Sequence, residues 1–195
     1  IRYHASDMVL AVCSDAAYLV LPNARSRAAG HFFLTTNASL QGPTSQPKLN
    51  GPLHILCKTI RTVAASAAEA ETGALFLNAQ TAIPIITSLQ EMGHPQPSTG
   101  TPLETDNSTA HGILHATVRL QRSKAFDMRY FWLRDRVRQR QFNLLWKPGR
   151  HNSADYFSKH HPPVHHKLMR PLYLQPISRR TSVTTSFVRG CVSPS

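Results

Sequence analysis

Acids are scarce in this sequence: ten Asp and Glu stand against 22 Lys and Arg in 195 residues, a net charge of +12. That balance points to a polyanionic partner, nucleic acid before a membrane surface, because no basic amphipathic anchor or lipid motif accompanies it. Cysteine is scarcer still. Cys13, Cys57 and Cys191 share no metal-ligand spacing, which argues for free thiols in a reducing compartment. No apolar run approaches a membrane span, and no basic start followed by a small-residue cleavage site marks a signal peptide. A hydrophobic content of 41% nevertheless argues against a wholly disordered chain, and the length suits one domain with an ordinary core. The chain begins at Ile1 without a methionine, as expected of a piece of something longer.

What is there is organised around Met8 to Asp15. Six apolar residues in a row, too short for a comfortable helix, read as a strand buried on both faces. Asp15 then stands where that strand is expected to emerge, a place that also suits a simple turn. Leu21-Pro22-Asn23 reads as a turn. Arg27 to Thr36 follows as a second strand, with Phe32 and Leu34 on one face and His31 and Phe33 on the other. His31, beside two Phe, reads as structural. The Gly/Pro/Ser/Asn-rich stretch Asn37 to Pro52 is a flexible connection, and Leu53 to Ile60 a third strand. The first third of the chain is thus an antiparallel meander.

Ser66-Ala67-Ala68-Glu69 fits a capping box, in which the Ser oxygen and the Glu carboxylate satisfy orphan N–H groups at a helix start. Leu75, Ala79, Ala82, Ile86 and Leu89 follow at spacings of three and four, one stripe of an amphipathic helix kinked at Pro84 and ended by Gly93 and Pro95. Extended four residues back from Leu75, the stripe reaches Glu71. A carboxylate at the head of a buried face is costly unless it is paired or metal-bound, although an acid in the first helical turns also suits the helix dipole. Glu69 lies on the opposite face, where capping explains it.

Pro102 to Thr105 is a short strand ending in Asp106, and Asn107 to His115 a short helix. Asp106 repeats the setting expected of Asp15, and the strand-helix alternation implies a strand parallel to the first. Lys124 to Gln139 reads as a longer helix in a very basic region. Ten of the 22 Lys and Arg, among them Arg122, Lys124, Arg129, Arg134, Arg136, Arg138 and Arg140, lie between Arg119 and Arg150, which favours a phosphate-tracking surface over a merely solvated one. Gln141 to Trp146 supplies a fifth strand, and Asn152 caps a short helix with Asp155 in its first turn. His160, His161, His165 and His166 have no cysteine companions, and Pro162-Pro163 interrupts their spacing. They read as a polar connector rather than a zinc site. From Lys167 onward there are no acids and much Ser, Thr, Pro and Arg, the composition of a disordered tail.

The expected fold is therefore α/β, a mixed five-stranded sheet flanked by helices and punctuated by Asp15, Glu71, Asp106 and Asp155. Four converging carboxylates would suit two hard divalent cations. The sequence resembles the ribonuclease H domain of copia-type retrotransposon polyproteins. The matching motifs, in order over roughly Met8 to His161, are Ser14-Asp15-Ala16-Ala17-Tyr18, Ala67-Ala68-Glu69-Ala70-Glu71, Thr105-Asp106-Asn107-Ser108, Lys124-Ala125-Phe126-Asp127-Met128-Arg129-Tyr130 and Ala154-Asp155-Tyr156-Phe157-Ser158-Lys159. The family often has Ser-Thr where Ala67-Ala68 stand, and Trp where Tyr18 stands. The resemblance implies a ribonuclease H-like fold over residues 8–162, preceded by a linker end at 1–7 and followed by a basic disordered tail at 163–195. It implies an endonuclease cutting the RNA strand of RNA–DNA hybrids during reverse transcription, with Asp15, Glu71, Asp106 and Asp155 holding two Mg²⁺ ions, for which Mn²⁺ can substitute. An upstream reverse transcriptase domain, no membrane, and a cytoplasmic or nuclear setting within a virus-like particle belong to the same expectation. The rival is a decayed, non-catalytic nucleic-acid-binding module derived from such a domain.

Overall fold

The computed structural model describes residues 1, 3–37, 47, 49–115 and 124–174. Three strands come first: β1 (Val9–Leu21), β2 (Arg25–Thr35) and β3 (Pro52–Ile60). Helix α1 (Ala67–Glu91), strand β4 (Thr101–Thr105), helices α2 (Ser108–Leu114) and α3 (Lys124–Arg138), and strand β5 (Phe142–Trp146) follow. A short 3₁₀ turn at Gly149–His151 leads to α4 (Asp155–Ser158) and α5 (Pro163–Tyr173). The sheet has the order β3-β2-β1-β4-β5. β1 pairs antiparallel with β2 and β2 with β3, whereas β4 pairs parallel with β1 and β5 with β4. The expected mixed five-stranded sheet is present.

Strand alternation divides the core in two. Leu10, Val12 and Phe32 face α1, where Leu75, Ala79, Ala82, Ile86 and Leu89 bury the whole expected stripe together with Leu103, Tyr130 and Leu133. The opposite face is thinner: Ala11, Cys13, Ala29 and Phe33 lie under Ala154, with Phe157 packed against them. α1 runs unbroken through Pro84. It is keyed to the sheet by Asn78, whose Nδ2 donates to Ser14 Oγ (2.9 Å) and to Ala29 O (2.8 Å). Gly30 makes that approach feasible, since a Cβ there would stand 1.9 Å from Asn78 Oδ1.

Two expectations are corrected. β1 does not end near Asp15: its ladder with β2 continues through Ala17↔Arg27, bulges, and closes at Leu21↔Arg25. The apolar run Ala16 to Leu21 extends the hairpin, and Leu19 takes up the bulge with φ +54°. The segment after Pro162 is not a tail from its start. Residues 163–173 form α5, because Pro163 sits at its N-terminal turn, where proline's fixed φ and missing N–H suit a helix. Tyr173 Oη then donates to Ser153 O at 2.8 Å, tying α5 to the domain. The remainder of the expected tail and most of the β2–β3 connection lie outside the described residues.

Candidate metal centre

The register of the parallel pair aligns two acids. The last β1–β4 partners are Cys13↔Glu104, so Asp15 and Asp106 each stand two residues beyond the point where the strands part. Glu71 enters this notch from the first turns of α1. Its Oε1 accepts the Ala16 N–H of β1 at 3.0 Å. One carboxylate oxygen from each of Asp15, Glu71 and Asp106 lies within 4.8 Å of the other two.

Burial makes this expensive. Asp15 and Glu71 are 2% and 5% exposed, and Asp15 Oδ2 and Glu71 Oε2 are buried without a hydrogen-bond partner. Burial, reinforced by the Asp106 and Asp155 charges against the Ser158 hydroxyl, pushes Asp15 up to about 6. Burial, followed by the Asp15 and Asp106 charges, pushes Glu71 up to about 9. Asp106, half-buried, is also raised, chiefly by burial. An all-oxygen donor set with two orphan carboxylate oxygens and mutual repulsion fits a hard divalent cation.

The surroundings leave Asp15 Oδ2 and Glu71 Oε2 unpartnered. Asn107, not Asp106, caps α2, its Oδ1 accepting from Ala110 N at 2.9 Å. Trp146 Nε1 donates to the backbone carbonyl of Asp106 at 3.0 Å. Gly149 leaves room beside it, since a Cβ there would lie 2.8 Å from Asp106 Oδ2. Asn152 Nδ2 donates to Ser14 O at 2.9 Å, joining the segment before α4 to β1. Glu69 is spent on the cap, as expected: Ser66 Oγ accepts from Glu69 N (3.2 Å), and Glu69 Oε2 accepts from Ala65 N (2.7 Å).

Asp155 is not one of the three. Its carboxylate is paired with Lys159, one turn later and just past the end of α4. Sequence reasoning misses Lys159, although the i,i+4 spacing of Asp155 and Lys159 is a readable signal. Burial works against its charge, yet its hydrogen bond to Asp155 and the nearby Asp15, Asp155 and Asp106 charges raise its pKa overall. Lys159 therefore stands as a fixed cation at the rim of the acid site.

Among solved structures, the N-terminal RNase H domain of a Mycobacterium tuberculosis protein, determined as a fusion with maltose binding protein, superimposes with a TM-score of 0.52 at 13% identity, over 77% of this chain and 91% of that one. LC11-RNase H1, isolated from compost by a metagenomic approach, gives 0.51 at 10% identity over 77% and 92%. The fold is ribonuclease H-like. No family model and no curated protein matches the sequence, so the likeness is one of fold.

In this ribonuclease H-like fold the basic residues of α3 are mostly engaged with their own neighbours. Arg129 Nη1 donates to Thr62 Oγ1 at 2.8 Å, and its guanidinium lies 5.9 Å from the Phe76 ring centre. Arg134 donates to Tyr130 Oη, and Arg136 lies over Trp132 at 5.3 Å. Arg138 and Arg140 are exposed. Because β5 runs parallel to β1, they stand where it begins, at the end of the sheet remote from the acids. Arg122 and the Lys124 side chain lie outside the described residues. His161 and His165 stack at 4.2 Å and His166 Nδ1 meets Tyr156 Oη at 2.8 Å. No metal-sized group of histidines forms among the described residues.

Proposed function

We propose that this chain hydrolyses the RNA strand of RNA–DNA hybrids, as the endonuclease that follows the reverse transcriptase in a copia-type retrotransposon polyprotein. The convergence of Asp15, Glu71 and Asp106 at the parting of β1 and β4 in a ribonuclease H-like sheet carries this reading. These three acids would hold divalent ions, Mg²⁺ or Mn²⁺. Asp155 would join them, because its half-exposed pair with Lys159 is worth no more than about 1 kcal/mol. Two such ions, when bound, supply an activated water and stabilisation of the leaving 3′ oxygen. The chain's own part is to fix the carboxylates on β1, on α1 and just after β4, and to leave Asp15 Oδ2 and Glu71 Oε2 without a hydrogen-bond partner. Contacts to the 2′-hydroxyl would distinguish RNA from DNA.

One observation favours a second reading, a non-catalytic nucleic-acid-binding descendant of such a domain: Asp155 is held by Lys159 rather than grouped with the other acids. Cleavage of an end-labelled hybrid in Mg²⁺ or Mn²⁺, run beside Asp106→Asn, separates the two. Metal-dependent cutting that disappears in Asp106→Asn supports the nuclease. Near-normal cutting by Asp106→Asn would sink the metal-site proposal, and hybrid binding without any cutting would establish the binding module.

A further inference from the structure

Of the four expected acids, Asp155 stands on the shortest support. α4 has four residues and no side-chain cap at its start, and a single turn of helix does not hold itself together in water. Its orientation is therefore set by what grips it. On the sheet side, Asn152 Nδ2 donates to Ser14 O and His31 Nδ1 meets Ser153 Oγ at 2.8 Å. Ala154 and Phe157 pack there on Ala11, Ala29 and Phe33.

On the outer side the grip comes from α5, beyond the residues that the resemblance covers. Tyr173 Oη donates to Ser153 O at 2.8 Å, two residues before Asp155. Burial pushes the pKa of this hydroxyl up, so it remains a protonated donor. The Tyr173 ring stacks on Tyr156 at 5.4 Å and meets Phe157 edge-on at 5.1 Å, the two residues directly after Asp155. The same ring stands edge-on to His31, the partner of Ser153, at 5.6 Å. One side chain thus touches both flanks of Asp155.

α5 is not a cover for the core. Neither core cluster contains an α5 residue, and Val164 and Leu168 are 77% and 71% exposed. A helix that shields a core buries its apolar stripe. Among the described residues, its hydrogen bonds and ring contacts to the rest of the chain reach His31, Ser153, Tyr156, Phe157 and His161.

We infer that Tyr173 is a positioning residue for Asp155: α5 is a strap that holds α4 against the sheet and presents the Asp155 carboxylate to a cation at Asp15, Glu71 and Asp106. This deepens the proposed function and rests on it for the part that Asp155 plays there. It also carries the working domain past residue 162, to the end of α5.

The test uses the full chain with Mn²⁺ alone as the probe, free Mn²⁺ being read by electron paramagnetic resonance. Tyr173→Phe removes the hydrogen bond and keeps the ring, whereas Tyr173→Ala removes both. Leu168→Ala, on the exposed face of α5, is the control. The Mn²⁺ concentration at half-saturation should rise roughly fivefold in Tyr173→Phe, the equivalent of one hydrogen bond, and roughly tenfold or more in Tyr173→Ala. Leu168→Ala should match wild type. In an Asp155→Asn background Tyr173→Ala should add nothing further, because the coupling runs through that carboxylate. Deuterium exchange of the metal-free chain gives a second readout. Tyr173→Ala should speed exchange over residues 153–159 at least about fivefold and leave β1 and α1 at wild-type rates. An unchanged half-saturation in Tyr173→Ala, or the same rise with and without the Asp155 carboxylate, would overturn the inference. So would wild-type exchange over 153–159. A wild type that takes up no Mn²⁺, while Tyr173→Ala still loosens 153–159, refutes the metal-site reading and leaves the strap standing.

Discussion

Two buried glutamates a few residues from the same notch have opposite surroundings. Glu104, 3% exposed, accepts from Lys147 Nζ at 3.2 and 3.5 Å and from the Cys13 thiol at 2.9 Å. Glu71, 5% exposed, has a single backbone donor and two neighbouring carboxylates. Burial is nearly equal, so burial does not separate the two; compensation does. Cys13 and Glu104 are cross-strand partners two residues before Asp15 and Asp106. A step of two residues along one face of the sheet thus leads from a closed ion pair to uncompensated charge. The closed pair braces β1, β4 and the segment after β5. The open set has acceptors for a cation.

The sharpest way to break this comparison is to neutralise each glutamate. Glu71→Gln should abolish hybrid cleavage, a loss of at least about a hundredfold, since a ligand carboxylate is gone, while the fold is retained or slightly strengthened by relief of repulsion. Cleavage and urea unfolding on one preparation check both halves, and an active Glu71→Gln would remove Glu71 from the site. The reverse pattern is expected opposite Glu104. Lys147→Met leaves a buried carboxylate without its cation and should cost about 3–5 kcal/mol of stability. A stability loss below about 1 kcal/mol would show that the pair braces nothing.

Divalent ions should sharpen the contrast. At a hundred times its dissociation constant, a cation that binds only the folded state stabilises by about 2.7 kcal/mol. Mg²⁺ or Mn²⁺ should therefore raise the melting temperature of wild type and of Lys147→Met, and leave Glu71→Gln close to its metal-free value. An equal shift in all three would place the ion elsewhere.

The metal-free protein should also respond to pH through the open set. Glu71 rises from an ordinary 4.5 to about 9 and Asp15 from 3.8 to about 6 when folded. Below the ordinary values both states hold their protons, and stability is unaffected. Above them the unfolded chain ionises first, so the folded state binds more protons and stability falls as pH rises, for Asp15 up to about 6 and for Glu71 up to about 9. Urea midpoints at about pH 5 and about pH 8 should differ in that direction, and Glu71→Gln should flatten the difference. A midpoint that climbs with pH would contradict the assigned environment.

The smallest effect concerns the cap. Glu69→Ala removes the acceptor of the Ala65 N–H and should cost about 1 kcal/mol, whereas Glu69→Gln should stay near wild type in both stability and cleavage. Loss of cleavage in Glu69→Gln would mean that the two acids of this helix have exchanged roles.

The separation of Glu69 from Glu71 is legible in the sequence, because two residues correspond to about 200° of helical rotation and the stripe from Leu75 to Leu89 marks the buried side. The parallel pairing of the strand before Asp106 is legible for a comparable reason: a strand-helix alternation admits few chain paths. The contacts of the basic region are not. Charge density along Arg119 to Arg150 does not reveal that Arg129 and Arg136 lie over aromatic rings or that Arg138 and Arg140 stand at the far end of the sheet.

Local periodicity and spacing by themselves determined the number and order of the strands and the phase of α1, though not the end of β1, since these depend on interactions between residues a few positions apart. Only the tertiary structure decided which charges meet. The grouping of Asp15, Glu71 and Asp106 depends on contacts across 35 to 91 residues, set by strand register and by the docking of α1. The same is true of Glu104 with Lys147. The local pair of Asp155 and Lys159 needed the fold to bring it to the rim of the acid site, where solvation and neighbouring charge give it a role that four residues of helix cannot specify.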